Sequence, residues 1–283
     1  MCVDLHTHST YSDGSCTPAE LIALAVESGL HGLSLTDHDT LEGVDEACRL
    51  GAEAGLTVIP GVEISTSLHE RTMHILGYGI DPANTALQRW LIPIQEGRER
   101  RNAVILQKLQ NLGVDITTEE VMELSRCGQT GRPHIARLLV DKGVVESFDA
   151  AFRQYLGRNR PAWESRFSYS AAETIAMIRQ AGGIAVLAHP GQIDPTMSIQ
   201  PALIRELARR DLDGLELYYP THTRRMKKQL KTLAAELGLL VTGGSDFHCT
   251  TRPPYHLASK VRGFCPPCSI LEQLSARLAG RHH

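Results

Sequence analysis

The sequence lacks a strong excess of basic residues, long apolar runs, internal repeats and low-complexity tracts. Its formal net charge is −3 over 283 residues, so no global basic field would attract nucleic acid or an anionic membrane. No apolar stretch approaches the roughly 20 residues of a membrane-spanning helix, and the charged, histidine-containing first residues are unlike a signal peptide. We therefore expect a cytoplasmic protein that binds neither a membrane nor a long nucleic acid, and no obligatory protein partner is indicated.

Cysteine occurs in an odd number, seven, scattered from Cys2 to Cys268. This pattern favours reduced thiols in the cytoplasm. The one close pair is Cys265-Pro-Pro-Cys268, and without a second pair it is only weak evidence for a zinc or redox site. We therefore expect an incidental pair in a loop.

Short apolar runs alternate with longer amphipathic ones, which is typical of parallel strands joined by helical crossovers. Seven runs are predicted strands: "CVDLHTH", "GLSLTDHD", "LTVIPGVEIS", "TMHILGYGI", "GIAVLAHP", "GLELYYP" and "LLVTGGSDFH". A chain of 283 residues can form one large barrel or about two ordinary domains. We predict an α/β fold whose seven strands form a barrel, or an open sheet curled towards one.

The stretch from 84 to 160 interrupts this alternation. It contains the long helical pattern "ALQRWLIPIQEGRERRNAVILQKLQNLG", shorter ones such as "GRPHIARLLVDKG", and no clear strand signal. We predict a helical insertion that forms a small second domain over the barrel.

Polar side chains occur at or near the ends of the predicted strands. His6 and His8 stand two apart in the first strand, so their side chains point to the same face. The later strands carry, in chain order, Asp37, His38, Asp39, Glu63, His74, His189, Glu216, Asp246 and His248. Because the carboxyl ends of parallel strands gather on one face, these residues are predicted to cluster in space.

A single histidine at a strand end is usually a hydrogen-bonded core residue, which is our interpretation of His31, His69 and His256. The cluster is different, because packed histidines and carboxylates without a cation face repulsion and uncompensated desolvation. It contains no cysteine, which disfavours a thiolate zinc site, whereas mixed imidazole and carboxylate suit manganese, zinc or iron. Nine ligands are too many for one ion, so we predict two or three divalent ions, with manganese preferred.

The motifs "HTH" with "SDG", "TDHD", "GVEIS", "HILGYG", "LAHP" and "GSDFH" follow in this order along the chain. This series resembles the polymerase and histidinol phosphatase (PHP) phosphoesterases over nearly all of the sequence outside the insertion. The resemblance implies a distorted seven-stranded (β/α)7 barrel at 1–83 and 161–283, a helical insertion at 84–160 and a trinuclear metal centre. The implied ligands are His6, His8, Glu63 and Asp246 for one ion, Glu63, His74 and His189 for a second, and Asp13, His38 and His248 for a third.

Three further segments, "TGRPHIARLLV", "YLGRNRPAW" and "GLELYYPTH", resemble the branch of this family that acts on nucleotide phosphates. The resemblance implies a metal-dependent phosphomonoesterase that removes the 3′-phosphate of nucleoside 3′,5′-bisphosphates such as adenosine 3′,5′-bisphosphate (pAp). A 5′-to-3′ exoribonuclease of short RNA is the alternative, and a histidinol-phosphate type of sugar phosphatase is third. A non-catalytic nucleotide sensor is disfavoured because the ligand set is complete. The branch often reads "PAYVP" where this chain has "PAWES", which leaves Trp163 as either a base-stacking or a core residue.

Roles within the proposed reaction follow from side-chain chemistry. Asp246 is predicted to be catalytic, and His222 is a candidate cation for the leaving group. Guanidinium groups bind phosphate bidentately. The predicted substrate-binding residues are Arg132, His134, Arg158 and Arg160, although these arginines could instead pair with acids, and His134 could form a local helix-start hydrogen bond. Tyr218, Tyr219 and Glu216 remain open between core, stacking and supporting positions.

Overall fold

The computed structural model describes residues 1–69, 71–125, 129–249, 256–260 and 263–281. The strands in these residues are β1 (Cys2–Thr7), β2 (Leu30–Leu35), β3 (Thr57–Val58), β4 (Gly61–Leu68), β5 (Arg71–Tyr78), β6 (Tyr169–Ser170), β7 (Ile184–Leu187), β8 (Gly214–Tyr218) and β9 (Leu240–Gly243). The α-helices are α1 (Pro18–Glu27), α2 (Val44–Ala54), α3 (Thr85–Asn111), α4 (Thr118–Glu123), α5 (Arg132–Asp141), α6 (Phe148–Ala151), α7 (Ala171–Gln180), α8 (Pro190–Ile193), α9 (Gln200–Ala208), α10 (Arg224–Leu237) and α11 (Ser269–Ala279). A π-helical turn at Phe152–Leu156 follows α6 directly.

The protein has an α/β fold in which the strands form two sheets. The first sheet has the order β1-β2-β3 and is parallel. The second has the order β6-β4-β5-β7-β8-β9 and is mixed, because β5 runs antiparallel to both of its neighbours, β4 and β7. Isolated bridges join the two sheets at the strand ends, pairing Thr7 with Phe247 and His38 with Glu63.

Two details differ from the sequence-based expectation of seven parallel strands. The predicted strand at 56–65 is divided into β3 and β4, and Pro60, which has no backbone N–H to donate, lies at the break. The predicted strand around His74 is β5, which forms a hairpin with β4 rather than a parallel pair. The connection between Leu68 and Arg71 is too short for a helical crossover, so the two strands must be antiparallel.

The helix-rich stretch from 84 to 160 contains no strand among its described residues. Its helices bury a hydrophobic cluster of their own, with Ile105, Leu109, Ile135 and Leu139 at its centre. Helix α3 begins at the N-cap Asn84, whose side chain accepts a hydrogen bond from the N–H of Leu87 at 2.9 Å. The first turns of α3 pack on the sheet and its last turns pack in the helical cluster. Side chains from the middle of this helix therefore lie between the two cores.

Four of the six cysteines in the described ranges form disulfide bonds, so the expectation of reduced thiols is wrong for them. Cys2 pairs with Cys265 across a Cα–Cα distance of 5.1 Å, and Cys16 pairs with Cys249 across 5.9 Å. Sequence spacing could not reveal these pairs because their members are more than 230 residues apart. Cys268, the partner of Cys265 in the CxxC segment, is a free thiol, as expected for an incidental pair.

None of the helices in the described ranges is both long enough and apolar enough to span a membrane.

Candidate metal centre

The histidines and carboxylates of the predicted cluster meet at one end of the sheets. His6 lies in β1 and His8 directly follows it, while His38, His189 and the pair Asp246 and His248 follow β2, β7 and β9, respectively. Glu63 and His74 project from the hairpin of β4 and β5. His189 and Asp246 have positive φ angles of 28° and 57°. Non-glycine residues rarely adopt this conformation, and it is concentrated at functional sites.

The carboxylate of Glu63 is the centre of the cluster and is completely buried. Its Oε1 lies 2.8 Å from His74 Nδ1 and 3.0 Å from His189 Nε2. Its Oε2 lies 2.9 Å from His38 Nδ1 and 3.3 Å from the Nε2 atoms of both His6 and His8. One carboxylate thus contacts five imidazole rings, which is the arrangement expected of a ligand shared between ions.

The two aspartates lie on either side of the ring of His8. Asp246 Oδ1 is 3.2 Å from His8 Nε2 and 3.5 Å from His6 Nε2. Asp13 Oδ1 is 3.0 Å from His248 Nε2, and its Oδ2 is 3.8 Å from His38 Nε2. The rings of His8 and His248 stack with their centroids 4.1 Å apart. Both predicted carboxylates therefore lie within reach of the same histidines as Glu63.

The structure brings all nine predicted ligands into one buried cluster. Eight of them form three overlapping groups whose ligand atoms lie within 4.8 Å of one another: His8, Asp13, His38 and His248; His6, His8, Glu63 and Asp246; and His38, Glu63 and His74. The ninth, His189, is in none of these groups but lies 3.0 Å from Glu63. The second group is the set expected for the first ion. The first group contains the three residues expected for the third ion and, in addition, His8. The last group contains Glu63 and His74, as expected for the second ion, but has His38 in place of His189.

The donor set fits divalent cations. The Nε2 atoms of His6 and His8, Nδ1 of His38 and Oε2 of Glu63 are buried, and although the three nitrogens lie 2.9–3.3 Å from that oxygen, none has the geometry of a hydrogen bond within the described residues. Buried polar atoms are normally hydrogen-bonded, so such atoms converging on one volume indicate a missing partner. Imidazole nitrogens and carboxylate oxygens are ligands for manganese, zinc and iron.

Burial and neighbouring charges act in opposite directions on the pKa values of the cluster residues. Burial opposes charge on His8, but the facing carboxylates of Asp246 and Glu63 raise its pKa to about 9. Burial lowers the pKa of His38 to about 3, although the same Glu63 carboxylate attracts a proton to it. Burial favours a neutral Glu63, but the surrounding imidazoles hold its pKa well below the usual range. Cations would replace these protons, since ligands must be deprotonated to bind.

Buried side chains outside the nine orient the ligands. Glu216 places Oε1 3.2 Å from His6 Nδ1 and accepts the backbone N–H of His189 on Oε2 at 2.7 Å. Tyr219 donates its hydroxyl to Asp246 Oδ2 at 2.9 Å. Such contacts fix the tautomer and direction of a ligand. Glu216 and Tyr219 therefore support the cluster, and because Tyr219 is only 1% exposed it cannot stack on a base.

The contacts of His222 do not favour its predicted part as a leaving-group cation. Its Nδ1 lies 3.0 Å from the carbonyl oxygen of Leu217, and its Nε2 accepts the backbone N–H of Gly191 at 3.1 Å. Burial lowers the pKa of His222. Both ring nitrogens of the neutral imidazole are therefore engaged by the backbone, which fixes the loop after β8 against α8.

An arginine pocket opens beside the cluster. It is a cavity of about 90 Å³ whose lining includes Asp13, His38 and His74 together with Arg98, Arg101, Arg132 and Arg166. A larger cleft of about 740 Å³ shares His74, Arg101, Arg132 and Arg166 with it and continues towards the surface. The two cavities thus form a path from solvent to the candidate metal centre.

Asp39, the last residue of "TDHD", is the carboxylate that binds two of these arginines. Its Oδ2 accepts from Arg98 at 2.5 Å and from Arg166 at 3.3 Å, and Ser65 donates to the same carboxylate. Burial and the neighbouring Arg98 lower the pKa of Arg166 to about 9. Burial and the surrounding guanidinium groups also lower the pKa of Arg101 well below its usual range. Closely spaced, buried guanidinium groups repel one another, and a bound anion would offset this repulsion.

The four predicted substrate-binding residues lie in different surroundings. Arg132 lines both the pocket and the cleft, and Arg158 is an exposed residue that lines the cleft only. Arg160 is exposed and lines neither cavity. His134 is buried, and its Nδ1 accepts the N–H of Gly131 at 3.0 Å, which is the local helix-start bond considered as its alternative.

Arg98, Arg101 and Arg166 were missed by sequence reasoning. Arg98 and Arg101 stand three residues apart in "GRERRN", and this spacing places both on one face of α3. They are only 6% and 5% exposed. A pair of arginines on the buried face of a helix is the signal that could have identified them, because arginine is seldom buried without a partner.

Comparison with known proteins identifies the family of this chain. The PHP domain model matches residues 4–209. A 3′,5′-nucleoside bisphosphate phosphatase of Chromobacterium violaceum is 36% identical over 247 residues, covering 87% of each chain. A 5′-3′ exoribonuclease of Haemophilus influenzae is 36% identical over 245 residues, covering 87% of this chain and 89% of its own.

A solved structure from Bifidobacterium adolescentis, described as that of a metal-dependent phosphoesterase, superimposes with a TM-score of 0.88 and 31% identity. The match covers 97% of this chain and 96% of that one. The fold and the buried histidine–carboxylate cluster therefore define a member of a metal-dependent phosphoesterase class. The chain belongs to the PHP domain family.

Proposed function

We propose that this protein is a hydrolase that removes the 3′-phosphate from nucleoside 3′,5′-bisphosphates such as pAp, leaving a nucleoside 5′-monophosphate. The observation that carries the proposal is the arginine pocket beside the nine-residue cluster. A simple phosphomonoester presents one phosphate, which the metal centre would hold. Four arginines, two of which share the carboxylate of Asp39, offer a separate place for a second phosphate.

The fold underlying the proposal is a distorted seven-stranded barrel with an insertion. The two sheets and the two isolated bridges connect seven strands in one ring: β1, β2, β4, β5, β7, β8 and β9. We interpret residues 1–83 and 161–283 as the barrel and 84–160 as the insertion that covers its substrate face. The separate hydrophobic cluster of the helices supports this division.

In the proposed active site the metal ions would be held by the nine predicted ligands: His6, His8, Asp13, His38, Glu63, His74, His189, Asp246 and His248. Bound manganese, zinc or iron supplies a nucleophile at neutral pH and neutralises charge on phosphoryl oxygens. Asp246, oriented by Tyr219, is the predicted catalytic carboxylate and faces His6 and His8. Its replacement by alanine should abolish turnover while leaving the fold intact.

The chain's own cations would bind and orient the substrate. Arg101 and Arg132 line both cavities, so they can contact a phosphate that bridges the pocket and the cleft. Arg98 and Arg166 are held by Asp39, which fixes the direction of their guanidinium planes. A fixed guanidinium loses little conformational freedom when it binds phosphate in a bidentate manner. Arg158 would act at the outer rim of the cleft.

The same geometry supports short RNA as a second substrate class. A 3′-phosphate and a 3′-phosphodiester present the same ester bond, and a cleft of about 740 Å³ is open enough to admit further nucleotides. The net charge of −3 disfavours a grip on long RNA, because phosphate contacts dominate such binding.

The test is phosphate release by manganese-loaded protein from pAp, AMP, 3′-AMP, histidinol phosphate and a pentanucleotide RNA. A strong preference for pAp, with AMP as product, supports the bisphosphatase. Equal cleavage of the RNA identifies an exonuclease, and a preference for histidinol phosphate or inactivity on all five refutes the proposed substrate class. Arg101→Ala and Arg158→Ala should raise KM for pAp but leave a simple ester unchanged, whereas equal effects on both would exclude a second phosphate site.

A further inference from the structure

We propose that Trp163 is the side chain on which the nucleobase of the substrate stacks. This inference rests on the proposed function and deepens it, because it names the residue that distinguishes a nucleotide from another bisphosphate. Trp163 is half-buried and lines the cleft of about 740 Å³. The same cleft is lined by His74, Arg101, Arg132 and Arg166, so a ligand in it can contact both these cations and the indole ring.

Trp163 does not behave as a core residue. Ala162, directly before it, is fully buried in the hydrophobic cluster of the helices, but Trp163 belongs to none of the clusters formed by the described residues. Trp90 provides the contrast, because it packs against the main core and stacks on Tyr169 with ring centroids 3.9 Å apart. Within the described ranges the Trp163 ring has no aromatic partner.

The backbone around Trp163 is held in place. Its N–H donates to the carbonyl of Arg160 at 2.9 Å, and its carbonyl accepts from Lys108 Nζ at 2.7 Å. Lys108 also binds the carboxylate of Glu164 at 2.9 Å, and Ala162 donates its N–H to Tyr155 at 3.0 Å. A large ring without a core position, on a backbone anchored on both sides, is suited to a ligand surface rather than to stabilising the fold.

A flat aromatic ring next to arginines matches the chemistry of a nucleotide. The guanidinium groups take the phosphate, while the indole face takes the base, and stacking of one base on an aromatic side chain contributes about 1–3 kcal/mol. Phe167, the other large aromatic residue of this segment, is 45% exposed but meets Tyr169 edge-on and does not line the cleft. The geometry therefore favours Trp163 over its neighbour.

The sequence allows a direct optical test, because it contains only two tryptophans. The variant Trp90→Phe leaves Trp163 as the sole indole. The protein is titrated with AMP and, separately, with ribose 5-phosphate, and binding of both is verified by calorimetry. Stacking predicts saturable quenching of the Trp163 fluorescence by AMP and little change with ribose 5-phosphate. Equal signals from the two ligands, or no signal from AMP that is bound, would overturn the proposal.

Kinetics separate stacking from a structural contribution. Trp163→Leu should raise KM for pAp about 5- to 150-fold, the range that corresponds to one stacked base, and leave kcat and an abasic ribose 3,5-bisphosphate nearly unchanged. Trp163→Phe should restore most of the loss, and Phe167→Leu is the matched control expected to change neither substrate. Equal losses on both substrates, or no loss on pAp, would refute stacking. Quenching by AMP in the Trp90→Phe protein, together with a wild-type protein that is inactive on pAp, would refute the proposed reaction but support the stacking residue.

Discussion

Replacing Glu63 by glutamine is the sharpest test of the candidate metal centre. Glutamine has nearly the same size and keeps one acceptor oxygen, so the change removes charge without creating a cavity. Glu63 belongs to two of the three ligand groups and contacts five imidazoles at 2.8–3.3 Å. The variant should therefore lose the ions that depend on this carboxylate and keep the one held by the group around Asp13.

The size of the effect follows from Coulomb attraction. A unit charge at about 4 Å from another contributes about 4 kcal/mol at an effective dielectric constant of about 20. Loss of that attraction weakens the binding of an ion at least about 1,000-fold, since about 1.4 kcal/mol corresponds to a factor of ten. The metal content should fall to about one ion per chain, and phosphate release from pAp should fall by a similar factor of about 1,000.

The assay is elemental analysis of the purified protein together with phosphate release. Glu216→Gln is the matched control, because Glu216 is equally buried and contacts His6 but lies in none of the three ligand groups. Loss of such a supporting contact typically costs 10- to 100-fold in metal affinity or activity, so this control should show a smaller defect. A Glu63→Gln protein with wild-type metal content and rate would refute the shared-ligand interpretation.

Three further outcomes are expected. Asp39→Ala leaves Arg98 and Arg166 without their counter-charge, so the free energy of unfolding in urea should fall by about 3–5 kcal/mol, and a loss below 1 kcal/mol would contradict the buried pair. Burial favours a neutral Asp39, but these arginines hold its pKa below the usual range. The charged Asp39 therefore contributes to the free energy of unfolding above the unfolded pKa of ~3.9, and this contribution is lost as the pH falls further. Asp39→Asn should accordingly reduce the loss of stability at acidic pH. Cys16→Ser should lower the free energy of unfolding by about 3–4 kcal/mol, because with Cys2–Cys265 formed, the Cys16–Cys249 bridge closes a loop of about 30 residues. An unchanged melting temperature would indicate that this bridge does not form.

The clustering of these histidines and carboxylates could be predicted from the sequence because strand ends follow a simple rule. His6, His38, His189 and Asp246 each lie at or just after an apolar run, and the carboxyl ends of such strands meet wherever crossovers are helical. Strand β5 is antiparallel, contrary to the rule, but the short hairpin still places His74 beside Glu63.

The remaining features depend on contacts between distant segments. Arg98 is in the middle of a helix and Arg166 is in a loop, and only the packed structure brings both to Asp39. Likewise, His222 looks like any catalytic histidine in the sequence, and its engagement by Gly191 and Leu217 is visible only once α8 lies against the loop after β8. Local patterns cannot specify such partners.

The meeting of residues that lie far apart in the sequence has a consequence for how the protein matures. His6 and His8 are synthesised before Asp246 and His248, which complete two of the ligand groups and follow more than 230 residues later. At a synthesis rate of about 5–20 residues per second, some tens of seconds separate the synthesis of His6 and His8 from that of Asp246 and His248. A nascent or interrupted chain therefore holds an incomplete histidine–carboxylate cluster until its synthesis has passed residue 248.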